Sequence, residues 1–305
     1  MYTFEDLEKE LLEKTASKTE EFIRLFYGRG GCFEGWEFLS VDAIDSVLSI
    51  AYYNEVDEAL DRQLQALFEV LFKTGFYEAV VLQRRYLPKA PSELLFGKLR
   101  EKLYAVENGI SFKLNLLSNQ NSGFFADMKI GREFVRDNAR GKRVLNLFSY
   151  TCAFSVVAYK GGADSVVNVD MSKSVLETGR DNHRFNKVEV RGTRYMPYNI
   201  LKSFSRIKRA GPYDLIIIDP PSFQKGSFAA SKDYQKIIRR LDELASDECT
   251  VLSCLNSPHL DSQFILDLYK EEAPSFTFVK RLDNMESFPS KESERALKNL
   301  IFTNF

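Results

Sequence analysis

Three rhythms of apolar residues run along the chain. From Phe4 to about Tyr27 they recur at helical spacing: Phe4, Leu7, Leu11, Leu12, then Phe22, Ile23 and Phe26. Thr3, just ahead of acidic Glu5 and Asp6, supplies a helix start by cap and dipole, and Gly28-Arg29-Gly30-Gly31 ends the unit. From Trp36 to about Asn119 the period changes. Phe38 to Tyr53 alternates as a hairpin would, Val56 to Lys73 carries Ala59, Leu60, Leu64, Leu67, Phe68 and Leu71 on one helical face, and Tyr77 to Gln83 reads as a buried strand. Pro88-Lys89-Ala90-Pro91 breaks the pattern, and Ile110 to Leu116 forms a further strand after the Asn108-Gly109 turn.

Beyond Asp127 short apolar runs alternate with amphipathic ones. Strands are expected at Val144–Leu147, Ser165–Val169, Thr193–Met196, Leu215–Ile218, Thr250–Leu252, Phe276–Val279 and Leu300–Phe302. Helices fit between them, among them Ser174–Phe185, Tyr234–Leu244 and Ser262–Tyr269. That alternation implies a mostly parallel sheet covered on both faces. The expected organisation is a helical segment over 1–35, a small α+β domain over 36–119 and an α/β domain over 120–305.

Composition narrows the classes. In 305 residues, 42 Lys+Arg against 43 Asp+Glu lack the broad basic excess of a nucleic-acid coat protein, although a local basic patch is compatible. A hydrophobic fraction of 44% suffices for a large core. Cys32, Cys152, Cys249 and Cys254 form no C-x-x-C, and His183 and His259 are far apart with no cysteine at ligand spacing, which disfavours a disulfide framework and a structural zinc site. The acidic start, with no apolar run of spanning length, points to a cytoplasmic protein without a membrane partner.

Open parallel sheets bind ligands beyond the carboxyl ends of their strands. After the first strand of the α/β region stands Phe148-Ser149-Tyr150-Thr151-Cys152, which lacks the glycines of a dinucleotide cradle. Asp170 follows the second strand, where a carboxylate can accept from both hydroxyls of a ribose, and Ser172 can cap the next helix. Asp219-Pro220-Pro221-Ser222-Phe223 follows the fourth. Two prolines cannot continue a central ladder, so they fix a rigid turn that aims Asp219 into the crevice.

Together these residues resemble a class I S-adenosylmethionine-dependent methyltransferase with a Rossmann-like seven-stranded sheet. More narrowly, the chain is similar to the bacterial family that includes the large-subunit ribosomal RNA methyltransferases I and K. The matching segments are Asn121-Ser122-Gly123-Phe124-Phe125-Ala126-Asp127-Met128, Asn146 to Thr151, Val169-Asp170, Asp181-Asn182 with Asn186, Asp219 to Phe223, and Leu297 to Phe302. The resemblance runs from about Trp36 to the C-terminus, and the family's N-terminal RNA-binding PUA domain is not apparent.

The resemblance implies S-adenosylmethionine as cofactor and a base of RNA, ribosomal RNA foremost, as substrate. It implies that Phe148 to Cys152 wrap the methionine part, Asp170 holds the ribose, Met171 lies against the adenine and Asn199 meets its amino edge. Asp219 would face the ammonium or the transferring methyl, and Asn121, Ser122 and Asp127 would close the pocket. Pro220, Pro221 and Phe223 would meet the target base, Phe223 by stacking.

Three departures stand out: Cys152 where glycine is common, Asn199 where aspartate is commoner, and Ser222 where adenine-N6 enzymes carry an aromatic. Cys254, at the end of the fifth strand, has two readings: the nucleophile of a cytosine-C5 transfer, or a small buried strand residue. Basic sets at Lys202, Arg206, Lys208 and Arg209, at Lys225, Lys232, Lys236, Arg239 and Arg240, and at Arg84, Arg85 and Lys89 could follow RNA phosphates or be solvated surface. His183 is expected on a helix surface. The rival functions are methyl transfer to a small molecule or protein, and non-catalytic RNA binding on the same fold.

Overall fold

The computed structural model describes residues 2–117, 121–188, 191–224 and 227–305. Lys225, one of the basic residues singled out above, lies outside the described residues. The chain divides into two units, one of residues 1–126 with 285–291, the other of 127–284 with 292–305.

In the first unit α1 (Phe4–Ala16) begins with a capping box between Thr3 and Asp6. The strands are β1 (Ile23–Tyr27), β2 (Leu39–Ile44), β3 (Val47–Tyr52), β4 (Ala79–Arg84) and β5 (Ser92–Gly97), hydrogen-bonded in that order. The β2–β3 pair is the expected hairpin, turned by Asp45, whose φ of 51° is left-handed, and Ser46. Between β3 and β4, which run parallel, crosses α2 (Glu58–Lys73), capped by Asp57 accepting from the Ala59 and Leu60 amides. Its Leu64, Leu67, Phe68 and Leu71 join Leu7, Leu11, Leu25, Val41, Ile50 and Leu82 in one apolar core. A separate ribbon pairs β6 (Leu103–Glu107) with β7 (Ile110–Leu114).

The N-terminal stretch departs from its helical spacing. Residues 23–27 form an edge strand paired antiparallel with β2, and the register slips between Arg24 and Phe26. That bulge buries the consecutive Leu25 and Phe26, which removes the two-residue alternation a strand would otherwise show.

The second unit opens with α3 (Lys129–Asn138) and β8 (Arg143–Leu147), then α4 (Ala153–Lys160), β9 (Ser165–Val169), α5 (Lys173–Phe185), β10 (Arg194–Met196), α6 (Phe204–Ala210) and β11 (Tyr213–Ile218). A short hairpin, β12 (Phe223–Gln224) with β13 (Phe228–Ala229), precedes α7 (Ala230–Ile238), α8 (Leu241–Leu244), β14 (Ala245–Leu255), α9 (Ser262–Glu272), β15 (Thr277–Leu282) and β16 (Lys298–Thr303). The helix expected over Tyr234–Leu244 is thus two, α7 and α8.

Seven strands line up as β10-β9-β8-β11-β14-β16-β15, with β16 antiparallel to its two neighbours and the first five mutually parallel. Strand order moves outward from β8 to β10 and then returns to the other side of β8 at β11. The crevice at the carboxyl ends of β8 and β11 is therefore the switch point where such sheets take ligands. Below it, Leu145, Val167, Ile216, Ile218, Val251 and Leu300 pack against Tyr234, Ile237, Ile265 and Tyr269.

Candidate active site

Beyond β8 the backbone takes three left-handed turns at residues with side chains: Phe148 (φ 57°), Tyr150 (φ 45°) and Cys152 (φ 62°). Each such conformation costs of order 1 kcal/mol or more, and clusters of them mark functional loops. The end of β9 and helix α5 hold the loop in place. The Ser149 amide donates to Val169 O (3.1 Å), the Tyr150 amide to Asp170 Oδ2 (3.0 Å), and Asn182 Nδ2 on α5 to Thr151 O (2.9 Å). Cys152, the departure from glycine, is accommodated by a glycine elsewhere. A Cβ on Gly179 of α5 would overlap Cys152 Sγ.

Asp170 accepts a second amide, Ser172 N–H, at 2.8 Å on Oδ1. Burial still pushes its carboxyl above the usual range, against the pull of those two hydrogen bonds. Each oxygen keeps a lone-pair direction for a further donor. Beside it Met171 is exposed, as is Tyr198. Asn199 Oδ1 is buried and has no hydrogen-bond partner, an acceptor awaiting an N–H from outside the chain. Ser149 Oγ in the loop is orphaned in the same way.

Asp219 follows β11. Burial first, then the nearby Asp127 charge, push its carboxyl up to about 7, while Arg132 on α3 pulls the other way. Arg132 is nearly inaccessible to solvent, a buried cation whose charge acts on Asp219. Pro220 is buried, Pro221 and Phe223 are exposed, and Ser222 Oγ donates to Asn256 O, tying this turn to the loop after β14. Cys254 is fully buried, and burial followed by the Asp219 and Asp127 charges raises its thiol pKa well above the ordinary value. A thiolate nucleophile is favoured by the opposite surroundings, electropositive and accessible.

Of the sequence-derived site residues, Asp127, Phe148 to Cys152, Asp170, Met171, Asn199, Asp219, Pro220, Pro221, Phe223 and Cys254 belong to the second unit. Asn121 and Ser122 belong to the first, where Arg85 donates to Asn121 Oδ1 (3.3 Å) and Ser122 Oγ donates to Phe124 O (3.3 Å). His183 is a correction. It has no solvent exposure, and it ends a buried chain in which Asn146 Nδ2 donates to Asn168 Oδ1 (2.9 Å) and Asn168 Nδ2 to Ser155 Oγ (3.0 Å). His183 Nε2 lies 2.8 Å from Ser155 Oγ and Nδ1 2.7 Å from Gly179 O. Burial holds its imidazole below the usual range, so Nδ1–H donates to Gly179 O and neutral Nε2 accepts from Ser155. Arg132 is not among the residues the sequence motifs mark, although an arginine on the helix that opens an α/β unit is a detectable signal.

The basic sets divide. Lys208 and Arg240 both meet Glu243, Lys236 meets Asp233 and Arg239 meets Glu272, whereas the Arg206 guanidinium lies 4.5 Å from the Tyr198 ring centroid. Among the described residues no group of three His, Cys, Asp or Glu side chains could hold a metal ion, and no helix is long and apolar enough to cross a membrane.

A carboxylate for vicinal hydroxyls, an unpartnered acceptor for an amino group and a second carboxylate at the switch point fit an adenosyl ligand carrying positive charge. Comparison with known proteins agrees. The chain is 29% identical over 281 residues to YwbD of Bacillus subtilis (strain 168), whose name assigns it provisionally as a ribosomal RNA large subunit methyltransferase; 87% of this chain and 69% of that protein are covered. It is 33% identical over 180 residues to ribosomal RNA large subunit methyltransferase I of Aeromonas salmonicida (strain A449), 57% of this chain and 46% of that one, so it spans about half the length of that relative. The crystal structure of SMU.776 complexed with SAH superposes with a TM-score of 0.86 at 26% identity, covering 97% of this chain and 79% of that chain. With the model of the S-adenosylmethionine-dependent methyltransferase family matching residues 23–303, the chain belongs to that family.

Proposed function

We propose that the chain methylates a nitrogen of a base in RNA, ribosomal RNA foremost. The observation that carries the reading is the row of acceptors at strand ends on one edge of the sheet: Asp170 after β9, Asn199 after β10 and, beyond β8, Asp219 after β11. The names of the relatives at 29% and 33% identity support RNA as the acceptor.

When bound, S-adenosylmethionine supplies a methyl group already activated on a cationic sulfur. The chain's part is to bind and orient. Asp170 accepts from the ribose hydroxyls, and Asn199 Oδ1 accepts from the adenine amine beside Met171. The loop Phe148 to Cys152, held left-handed by its ties to Val169, Asp170 and Asn182, wraps the methionine part with Ser149 Oγ as a spare donor. Asp127 belongs with Asp219 in facing positive charge, because its charge raises the cost of ionising Asp219 until a cation arrives.

On the target side, Pro220 and Pro221 fix the turn so that the Asp219 carboxylate can accept an N–H from the base, and exposed Phe223 offers a ring for stacking. Cys254 favours nitrogen over cytosine C5, since a pyrimidine carbon needs a covalent thiolate and this thiol is buried beside two carboxylates.

The test is transfer of labelled methyl from the cofactor to protein-free ribosomal RNA by wild type and by Cys254→Ser. The reading expects comparable label from both, in a methylated base. Label lost with Cys254→Ser and otherwise found as 5-methylcytosine would overturn the nitrogen assignment, and label confined to protein would overturn RNA.

A further inference from the structure

Strand β16 begins with a lysine that solvent does not reach: Lys298 is 0% exposed. It pairs with Leu255, the last residue of β14, so its backbone stands at the sheet edge that carries the crevice. An ammonium has three donors, and here each meets a backbone carbonyl. Lys298 Nζ donates to Ser257 O (2.9 Å) in the loop after β14, and to Glu294 O (2.6 Å) and Ala296 O (2.9 Å) in the segment before β16. Burial first, then the Arg281 charge, lower its pKa to about 8, so the charge is held there at a cost. An apolar side chain would fill the space without that cost. What the ammonium adds is the gathering of three carbonyls from two segments.

One of those segments is itself anchored. Arg281 on β15 donates to Glu294 Oε1 (2.5 Å), to Ser293 O (2.6 Å) and to Ser262 Oγ (3.1 Å). Glu294 Oε2 accepts from the amide of Ser262, the first residue of α9 (2.7 Å). Lys298 therefore fastens the loop after β14 to a braced base.

The same loop meets the Asp219 turn one residue earlier, where Ser222 Oγ donates to Asn256 O. Consecutive carbonyls, Asn256 O and Ser257 O, are thus held by Ser222 from one side of the chain and by Lys298 from another. The turn has a second hold, since Ala230 N–H donates to Ser222 O (3.1 Å). Next to Ser222 is Phe223, 71% exposed, the ring offered to the target base. A shift of the loop after β14 would move the acceptor of the Ser222 hydroxyl and loosen the residue that precedes this ring.

We propose that Lys298 is a positioning residue for the target base: through Ser257 and Asn256 it fixes Ser222, and with it Phe223, where the base is received. This rests on the reading of an RNA base as methyl acceptor. The test measures kcat/KM for protein-free ribosomal RNA at saturating cofactor for wild type, Lys298→Met, Ser222→Ala and the double variant. Calorimetry reports cofactor affinity and thermal melting reports the fold. Lys298→Met should lower kcat/KM for RNA by about tenfold or more, as misplacement of a reacting group does, with cofactor affinity unchanged. Ser222→Ala should lower it by about fivefold with the melting temperature retained. Because both act through one loop, the double variant should lie within about twofold of Lys298→Met. Wild-type kcat/KM in folded Lys298→Met, or losses that simply multiply, would overturn the proposal while leaving RNA as substrate. An equal loss of cofactor affinity would make Lys298 a general brace and overturn it too. Should Lys298→Met fail to fold, Ser222→Ala decides, and full turnover of RNA by that variant would overturn the link. Absence of transfer to RNA by wild type would instead overturn the RNA reading beneath it.

Discussion

The strand-end edges of the two sheets carry opposite charge. The first presents Arg29 and Arg85 around Tyr53, whereas the second presents Asp170 and Asp219, with Asp127 beside the latter. An acidic edge attracts a small cationic cofactor and repels a phosphate backbone. Arg132 sharpens the contrast. It is the buried cation near Asp219, but one guanidinium against two carboxylates leaves that edge acidic.

The largest effect should come from removing the charge that defines the acidic edge. Asp219→Asn is expected to lower methyl transfer by about 10²-fold or more with the fold retained, as loss of an oriented electrostatic group usually does. Near-wild-type turnover would break the contrast at its root. Next is Asp170→Ala, which removes an acceptor for two hydroxyls. Charge-assisted hydrogen bonds contribute about 1.5–3 kcal/mol each, so calorimetry should report cofactor binding weakened by about 10²-fold. RNA affinity should hold.

Stability should also follow pH through Asp219. Its folded carboxyl titrates near 7, well above the ordinary 3.8, so the folded state binds the extra proton between those values. Stability is fully present below the ordinary carboxylate range and falls as pH rises through about 7. Denaturation of wild type against Asp219→Asn, from pH 5 to pH 8.5, should therefore show wild type losing ground by up to about 1.4 kcal/mol for each pH unit between 5 and about 7, and levelling off above that. Parallel curves would contradict the buried setting. The smallest expected effect concerns packing under the loop. Gly179→Ala should cost about 1–3 kcal/mol by overlap with Cys152, and Cys152→Gly should recover part of that loss in the double variant, measured by urea unfolding. Additive losses would mean the two sites do not press on each other.

The parts of this picture legible in sequence are those whose signal is local. Asp219-Pro220-Pro221 announces itself because two prolines can only end a strand, and the parallel strands show as short apolar runs between amphipathic helices. What stayed hidden depends on partners far along the chain. His183 looks like any polar helix residue until α4 brings Ser155 onto its ring, 28 residues away. Residues 23–27 mimic a helix because a bulge, set by β2, puts Leu25 and Phe26 on the same side. β5 leaves no strand signal in the sequence because its half-exposed residues carry little alternation. The tolerance of Cys152 in a left-handed turn could not be read from its neighbours either, since the space it fills is the missing Cβ of Gly179. The convergence of Arg29 and Arg85 on Tyr53 likewise needs the sheet order to become visible.

The most direct measurement is nucleoside mass mapping of protein-free ribosomal RNA after incubation with methyl-labelled cofactor and either wild type or Asp219→Asn. The account predicts one new nitrogen-methylated base with wild type and its near-complete loss with the variant. An unlabelled RNA alongside labelled protein, or equal product from both enzymes, would contradict it.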